Sequence, residues 1–185
     1  MNRLRAAAIA TALSGAVLLA KALWIPLKAE LAYGLMDRAL SHAQAEKAPS
    51  KPWSWADFGV IGKLFFLGEE VHVLDRATNQ AMAFGAGRHE EYGSDGPLVL
   101  SGHRDTHFAV LEHIKPGDPI EYLSVGKEQH YEVTDTRIFD VREGALLPPG
   151  PGQIMLITCW PFDGIDPGTT KRYLVLAEQT SASGR

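Results

Sequence analysis

The chain contains the apolar run Ile154-Met155-Leu156-Ile157-Thr158-Cys159, whose length and composition are typical of a buried strand. Its last residue, Cys159, is the only cysteine in the sequence. An arginine and a histidine also lie at the ends of apolar runs: Arg172 precedes Tyr173 to Ala177, and His103 follows Leu98 to Ser101. A thiol, an imidazole and a guanidinium at strand ends suit an enzyme that holds an acyl group on sulfur.

Composition limits the classes to which the chain can belong. Its 185 residues are enough for one domain plus an appendage. The apolar content of 45% and the charged content of 22% are ordinary for a globular protein. A formal net charge of −4 argues against nucleic acid as a partner, since that would need a basic surface. A single cysteine excludes an internal disulfide and a zinc site built on several cysteines.

The first residues predict an N-terminal signal-anchor or transmembrane helix over residues 1–27. Arg3 and Arg5 precede the uncharged stretch from Ala6 to Ala20, which would span roughly 22 Å of a bilayer core that is roughly 30 Å thick. If Lys21 snorkels, the span extends to Leu27 and is long enough. The alternative is a signal peptide cleaved near Ala20-Lys21-Ala22. Both interpretations export the rest of the chain, and the positive-inside rule places Arg3 and Arg5 in the cytoplasm.

The remaining chain divides into three segments. Residues 28–54 are expected to form a helical stalk and linker, because Leu31, Leu35, Ala39 and Ala43 recur every fourth position and the linker follows at residues 48–52. Residues 55–180 are expected to form the catalytic domain, and residues 181–185 a frayed tail.

The expected domain is mainly β. Val71 to Asp75 and Ala81 to Phe84 are expected to pair as a hairpin across a polar turn. Thr106 to Ile114 is expected to be one short helix, with Thr106 as its cap. Short strands separated by Gly/Pro turns indicate an antiparallel barrel or sandwich.

The three strand-end residues have distinct chemical roles in this interpretation. A lone cysteine is more often a small core residue, but Cys159 ends its strand before a Pro/Gly/Asp-rich loop, so we interpret it as a nucleophile that attacks as thiolate. His103 can donate a proton to a leaving amine and accept one from an incoming amine or water. Arg172 can hold the substrate carbonyl or the oxyanion formed on attack.

Neighbouring residues are weaker candidates. A metal site on His103 and His107 is disfavoured, because Gly102 follows a strand directly and the two rings need not share a helical face. Arg104 and Asp105 either line the site or form a solvated turn pair. No cofactor and no metal are expected.

Three segments together resemble the sortase family: Leu100 to Phe108 (Leu-Ser-Gly-His-Arg-Asp-Thr-His-Phe), Ile157 to Phe162 (Ile-Thr-Cys-Trp-Pro-Phe) and Arg172 to Val175. The class found in Gram-negative, often marine, proteobacteria is the most similar. The resemblance covers roughly residues 57–178.

This resemblance implies a closed β-barrel of about eight strands with one or two short helices, preceded by a membrane helix. It implies a membrane-anchored cysteine transpeptidase or peptidase, of the hydrolase class, that cleaves a Leu-Pro-x-Thr-Gly-like C-terminal sorting motif of an exported protein and passes the acyl group to an amine. The catalytic residues would be Cys159, His103 and Arg172, and the substrate-binding residues Thr158, Trp160, Arg104 and Asp105. The loop from Phe139 to Gln153 would form one wall of the substrate groove.

The implied location is a bacterial inner membrane, crossed once, with the catalytic domain on the periplasmic or extracytoplasmic side. The partners would be the exported substrate, an amine acceptor that the sequence does not identify, and inner-membrane lipid around the N-terminal helix. Two alternatives stay open at this point. One is a cysteine hydrolase that releases the same thioacyl group to water, and the other is a non-catalytic, membrane-tethered binding barrel.

Overall fold

The structure is a computed structural model that describes residues 2–93, 96–164, 166 and 168–180; the predicted tail at 181–185 lies outside the described residues. The helices are α1 (Asn2–Glu46) and α2 (Asn79–Met82), with 3₁₀ turns at Glu90–Tyr92 and Ala109–His113. The strands are β1 (Val60–Phe66), β2 (Glu69–Leu74), β3 (Ala86–Arg88), β4 (Leu98–Ser101), β5 (Pro119–Ser124), β6 (Lys127–Asp140), β7 (Gln153–Cys159) and β8 (Lys171–Gln179).

The eight strands close into one barrel in the order β1-β2-β3-β4-β7-β8-β6-β5. Neighbours pair antiparallel, except that β2 pairs with β3 and β4 pairs with β7 in parallel. Closure gives every strand a paired neighbour on both sides, although β3 joins β2 and β4 over only two residue pairs each. The prediction of a mainly β, closed eight-stranded barrel behind a long apolar helix is confirmed.

The barrel is packed on both faces where β4, β7 and β8 adjoin. Alternate residues such as Leu100, Leu156 and Val175 fill the barrel interior. The intervening residues form a second buried group outside the barrel, which we call the outer cluster: Val99, Met155, Ile157 and Leu174, with Phe139 and Leu146 packed against it. Because side chains alternate between faces along a strand, the outer cluster marks which residues point away from the interior.

Two local expectations were wrong. Ala81 does not continue a hairpin: it lies in α2, where the Thr78 side chain caps the helix by accepting a hydrogen bond from the backbone N–H of Ala81 at 3.1 Å. The strand after α2 is β3, which runs parallel to β2. The segment expected as a helix from Thr106 forms only the 3₁₀ turn Ala109–His113, because Phe108 turns into the barrel core and is fully buried.

Helix α1 runs without a break from Asn2 to Glu46, through Pro26. From Ala7 onward it is long and apolar enough to cross a membrane, and its apolar side chains in that part, such as Leu13 and Leu23, are exposed. This fits the expected anchor. The boundaries drawn at residues 27 and 54 stay predictions.

The later part of α1 packs on the barrel. Met36, Ala39, Leu40 and Ala43 are buried, and the first three join a cluster with Phe58, Val60, Leu74 and Ala81. We call residues 33–43 the docked segment. Helical side chains three and four positions apart lie on one face, so this stripe removes one side of the helix from water.

A group of polar side chains beside the apolar stripe reinforces this contact. The Asp37 carboxylate accepts hydrogen bonds from Lys63 Nζ at 2.7 Å and from His72 Nε2 at 2.9 Å, and Lys63 also pairs with Glu70. Burial lowers the pKa of His72, only partly offset by its bond to Asp37. Partial burial acts to raise the pKa of Asp37, but the bonds from Lys63 and His72 outweigh it and hold that pKa below its usual value.

The direction of α1 relative to the barrel follows from these contacts. Leu40 packs with Val60 at the start of β1, and Asp37 pairs with Lys63 in the middle. Tyr33 stacks on His72 and meets His107 edge-on. Going toward its N-terminus, α1 therefore runs along β1 toward Phe66. Phe66 contacts Phe108, so α1 leaves the barrel at the end where β4 finishes.

The polar group predicts an acid-sensitive docking. Because the pKa values of His72 and Asp37 both lie below their unfolded values, the stabilisation they give is complete above about pH 6.5 and is lost as the pH falls, first through His72 and then through Asp37. We expect the thermal midpoint of the full chain in detergent to fall between pH 7 and pH 5. His72→Phe, which keeps the ring but removes the titrating group, should fall less steeply. The exposed His113→Phe serves as the control. If the thermal midpoint falls equally steeply with pH in the parent protein and in His72→Phe, this account is contradicted.

Candidate active site

The strand register places Cys159 directly opposite Arg172 at the end of the β7–β8 ladder. The next pair along is hydrogen-bonded, since Trp160 donates its N–H to the Lys171 carbonyl at 3.0 Å. Cys159 and Arg172 therefore form a non-hydrogen-bonded pair, the type in which Cα atoms approach to about 4.5 Å and side chains are closest. Directly opposed residues also share a face of the sheet. The thiol and the guanidinium thus start from adjacent points on the same face.

His103 comes to the same place from β4. The parallel register pairs Ser101 with Ile157, and the Gly102 N–H extends the ladder by donating to the Ile157 carbonyl at 3.1 Å. One residue further, His103 is level with Cys159. Its side chain is exposed, and Cys159 is half-buried. The fold therefore brings all three predicted residues to one barrel end, and the thiol is not sealed in the core.

Cys159 and Arg172 lie on the outer face of the barrel. Cys159 alternates in step with Met155 and Ile157 of the outer cluster, and Arg172 in step with Leu174. The buried outer cluster therefore extends along β7 on the same face as the thiol. The surface that Cys159 and Arg172 share is on the outside of the barrel, not in its interior.

The Thr158 side chain is held in the barrel interior. It is only 2% exposed, and its hydroxyl donates to the Gly102 carbonyl at 2.8 Å. Because its proton is donated in that bond, the Thr158 hydroxyl connects β7 to Gly102, the residue before His103. Only the backbone of Thr158 remains a candidate for oxyanion binding.

Arg104 connects two loops of the site. Its guanidinium donates to the carbonyls of Pro161 at 2.9 Å and Asp166 at 2.8 Å, both in the β7–β8 loop. Because Arg104 follows His103, these bonds tie the segment carrying the imidazole to the loop that follows the cysteine. Asp105 is exposed beside it. The structure thus favours a bridging role for Arg104 over a solvated turn pair.

The residues that flank Cys159 and Arg172 are held by the same loop. Arg172 Nη1 donates to the carbonyls of Thr169 at 2.6 Å and Lys171 at 3.0 Å, which orients the guanidinium. Trp160 stacks on Tyr173 with ring centroids 5.7 Å apart, and Phe162 packs edge-on against both rings. This aromatic group gives the β7–β8 loop a rigid apolar base beside the thiol.

The β6–β7 loop lies against the outer cluster. It begins where Arg142 donates to the Asp140 carboxylate through Nε and Nη2, and these bonds hold the pKa of Asp140 well below its usual value. Leu146 then packs on the outer cluster, while Leu147 is 77% exposed. The loop therefore presents unburied apolar surface, and its role as a wall of a substrate groove stays a prediction.

Other concave or charged features lie elsewhere. A cavity of about 510 Å³ opens at the opposite barrel end, lined by residues such as Tyr122, Gln129 and Gln153. Within the described residues, ligand atoms close enough to share a metal ion occur at Glu121, Glu128 and His130, within 4.8 Å of one another. They belong to the exposed β5–β6 hairpin, far along β6 from Phe139, which pairs with Arg172. No feature of either place connects it to the thiol.

Sequence reasoning gave no role to several residues that build the site. Phe108 packs so closely on Gly102 that a Cβ at Gly102 would meet its ring at 2.8 Å, so this glycine lets β4 turn sharply before His103. Leu146 and Tyr33 were also missed. The Gly-His pair with a phenylalanine a few positions on is the signal that could have indicated the first contact.

A closed barrel with a thiol, an imidazole and a guanidinium at the ends of adjacent strands defines a cysteine enzyme of the acyl-transfer type. The chain matches the sortase domain family over residues 66–180, more than half of its length. It is 27% identical over 140 residues to Sortase D of Bacillus subtilis (strain 168), covering 73% of this chain and 70% of that protein.

Solved structures agree with this match. Sortase A from Corynebacterium diphtheriae superposes with a TM-score of 0.58 at 26% identity, over 69% of this chain and 63% of that one. The Sortase D5 transpeptidase of Clostridium perfringens superposes with a TM-score of 0.61, over 82% of this chain and 99% of that one, at 14% identity, and so supports the fold alone. The chain belongs to the sortase family, whose members are cysteine transpeptidases of the cell envelope.

The Thr158 bond predicts a measurable stability cost. Thr158→Val keeps the shape of the side chain but leaves the buried Gly102 carbonyl without its donor, and we expect a loss of about 1–3 kcal/mol in the free energy of unfolding. Thr158→Ser keeps the hydroxyl and should lose less. Urea unfolding of the full chain in detergent measures both; equal stability of Thr158→Val and the parent protein would contradict the bond's role.

Proposed function

We propose that this chain is a membrane-anchored cysteine transpeptidase that cleaves a Leu-Pro-x-Thr-Gly-like C-terminal sorting motif of an exported protein and transfers the new carboxyl end to an amine. The observation that carries the proposal is the strand register, which puts Arg172 opposite Cys159 and brings His103, two residues past the end of β4, to the same barrel end. Family membership supports the reaction type.

The chemistry assigns one task to each residue. The Cys159 thiolate attacks the carbonyl carbon after the threonine, and the C–S bond forms as the C–N bond breaks. His103 gives a proton to the leaving amine and later takes one from the incoming amine, whose nitrogen displaces the sulfur. Arg172 holds the carbonyl oxygen as it gains charge; with Nη1 bound to the loop carbonyls, Nε and Nη2 are the donors we assign to it.

We assign the substrate groove to the outer face beside Cys159, where it suits an extended peptide with apolar side chains. The exposed Leu147 stands on its β6–β7 side, while the outer cluster is buried below and supports the strands. Trp160, one of the expected substrate-binding residues, is already packed on Tyr173, so we assign it to the rigid edge of the groove. Arg104 serves indirectly by joining the two loops, and Asp105 is the exposed residue beside the entrance.

The anchor places this groove near the bilayer. We assign the early part of α1 to the inner membrane, with Arg3 and Arg5 in the cytoplasm and the barrel on the periplasmic side. Lys28 lies over the Trp24 ring at 5.4 Å, a pairing suited to the lipid–water interface. From Lys28 to Tyr33 the helix rises only about 8 Å. Because α1 leaves the barrel at the end that carries Cys159, the groove faces the membrane from which a substrate emerges.

The nucleophile assignment predicts a covalent intermediate on the single cysteine. Full chain in detergent is incubated with Leu-Pro-Xaa-Thr-Gly peptides carrying every residue at Xaa, and intact-mass measurement detects the acyl adduct. Cys159→Ala should give no adduct. His103→Ala should slow cleavage by about 10²–10⁴-fold and Arg172→Ala by about 10²–10³-fold, as when a positioned acid or oxyanion donor is removed. The exposed control variants His113→Ala and Arg38→Ala should match the parent protein.

The same assay separates the alternatives. Added triglycine should yield an amide product if the chain is a transpeptidase. A free acid both with and without triglycine would mean a cysteine hydrolase. An unmodified Cys159 with every peptide, or cleavage by Cys159→Ala, would overturn the proposed mechanism and leave a binding barrel.

The short helical connection from Lys28 to Tyr33 predicts that the enzyme selects substrates by the distance between the sorting motif and the membrane. Seven helix-forming residues inserted after Lys28 raise the barrel by about 10 Å. In liposomes, two membrane-spanning reporters carry the motif either next to their span or behind a seven-residue helical spacer. The parent protein should prefer the first reporter by about tenfold and the insertion variant the second, while both cleave soluble peptide equally. Unchanged preference in the insertion variant would show that α1 does not set the height of the groove.

A further inference from the structure

We propose that Tyr33, on the anchor helix, positions His103 through His107. Helix α1 then helps to form the active site in addition to anchoring the barrel. This inference rests on the proposed function, since it gives Tyr33 a role in positioning the His103 imidazole that acts with Cys159. It concerns a residue that lies far from the thiol in sequence and does not itself reach the reacting atoms.

Tyr33 lies between two histidines of the barrel. Its ring stacks on His72 with centroids 6.1 Å apart and planes 11° from parallel. It meets His107 edge-on, at 6.4 Å and 89°. Both are favourable geometries for aromatic pairs. His72 in turn is fixed by Asp37 of the same helix, so the tyrosine is held from both sides.

His107 is the point at which the helix touches the loop that carries His103. Its Nε2 donates toward the Ala83 carbonyl at 3.5 Å, and the ring is half-buried. Burial lowers the pKa of His107, and its hydrogen bond to the Ala83 carbonyl offsets this only in part. Since His107 is four residues after His103 in the same loop, a change in the position of His107 moves the segment that carries His103.

The loop between them is short and closed on itself. The His103 carbonyl accepts hydrogen bonds from the N–H groups of Phe108 at 3.0 Å and Thr106 at 3.4 Å. Phe108 is fully buried against Gly102. Gly102 and Phe108 thus fix the two ends of the loop in the barrel, and Tyr33 supports its outer side through His107. Without that ring, the side of the loop facing α1 loses its packing partner.

The test uses full chain in detergent, with cleavage of the peptide mixture and alkylation of Cys159 by iodoacetamide as readouts. Tyr33→Ala should lower kcat by about tenfold with KM within about twofold, because the peptide groove is untouched while the imidazole is misplaced. Tyr33→Phe keeps both ring contacts and should restore kcat. Alkylation, which the single cysteine makes site-specific, should change in rate for Tyr33→Ala and not for Tyr33→Phe.

Met36→Ala is the matched control for loosened docking. Met36 is fully buried in the cluster around Phe58, against which Tyr33 also packs, but it makes neither of the two ring contacts with the histidines. Its loss should therefore lower the thermal midpoint more than Tyr33→Ala does and change kcat less. An equal loss of kcat in both variants, or no loss in Tyr33→Ala, overturns the inference. Failure of the parent protein to form any acyl adduct would instead count against the proposed function, so the two failures are distinguishable.

Discussion

The structure depends on the register in which β7 lies between β4 and β8. Cys159 is opposite Arg172 because Trp160 and Lys171 are hydrogen-bonded, and a slip of one residue would send one of the two side chains to the other face. The apolar residues upstream prevent such a slip, since both faces of β7 are buried and each side chain has a fixed place. Core packing therefore sets the position of the proposed active site.

The same dependence extends outward from the strands to the loops. Thr158 and Arg104 each use hydrogen bonds to backbone carbonyls, so the loops around Cys159 are positioned by main-chain groups that any sequence would supply. Such bonds are directional and fix a side chain more tightly than apolar contact does. A groove made this way is rigid near the thiol, while the wall formed by Leu146 and Leu147 rests on apolar packing and exposed surface.

Sequence patterns were sufficient where structure is determined locally. The apolar runs at Leu98, Ile154 and Tyr173 all proved to be strands, and residues at the ends of adjacent strands must lie near one another. The predicted hairpin after Val71 was wrong because a short apolar segment fits a strand or a helix equally well. The capping bond of Thr78 and the packing of Ala81 against α1 favour a helical turn there. Parallel pairing of β2 with β3 is a long-range outcome that no local pattern encodes.

The docked segment shows why the helix was predicted while its role was missed. A repeat of apolar residues at every fourth position includes Leu31, which is 63% exposed, whereas the buried stripe uses Met36 and Leu40. Periodicity identifies a helix but not which partner covers it, because burial depends on surfaces from distant strands. The polar contacts add information that periodicity lacks: Asp37, although its side chain is 54% exposed, pairs with Lys63 on β1 and His72 on β2, and Tyr33 stacks on His72. Together with the buried stripe, these contacts fix the position of α1 on the barrel.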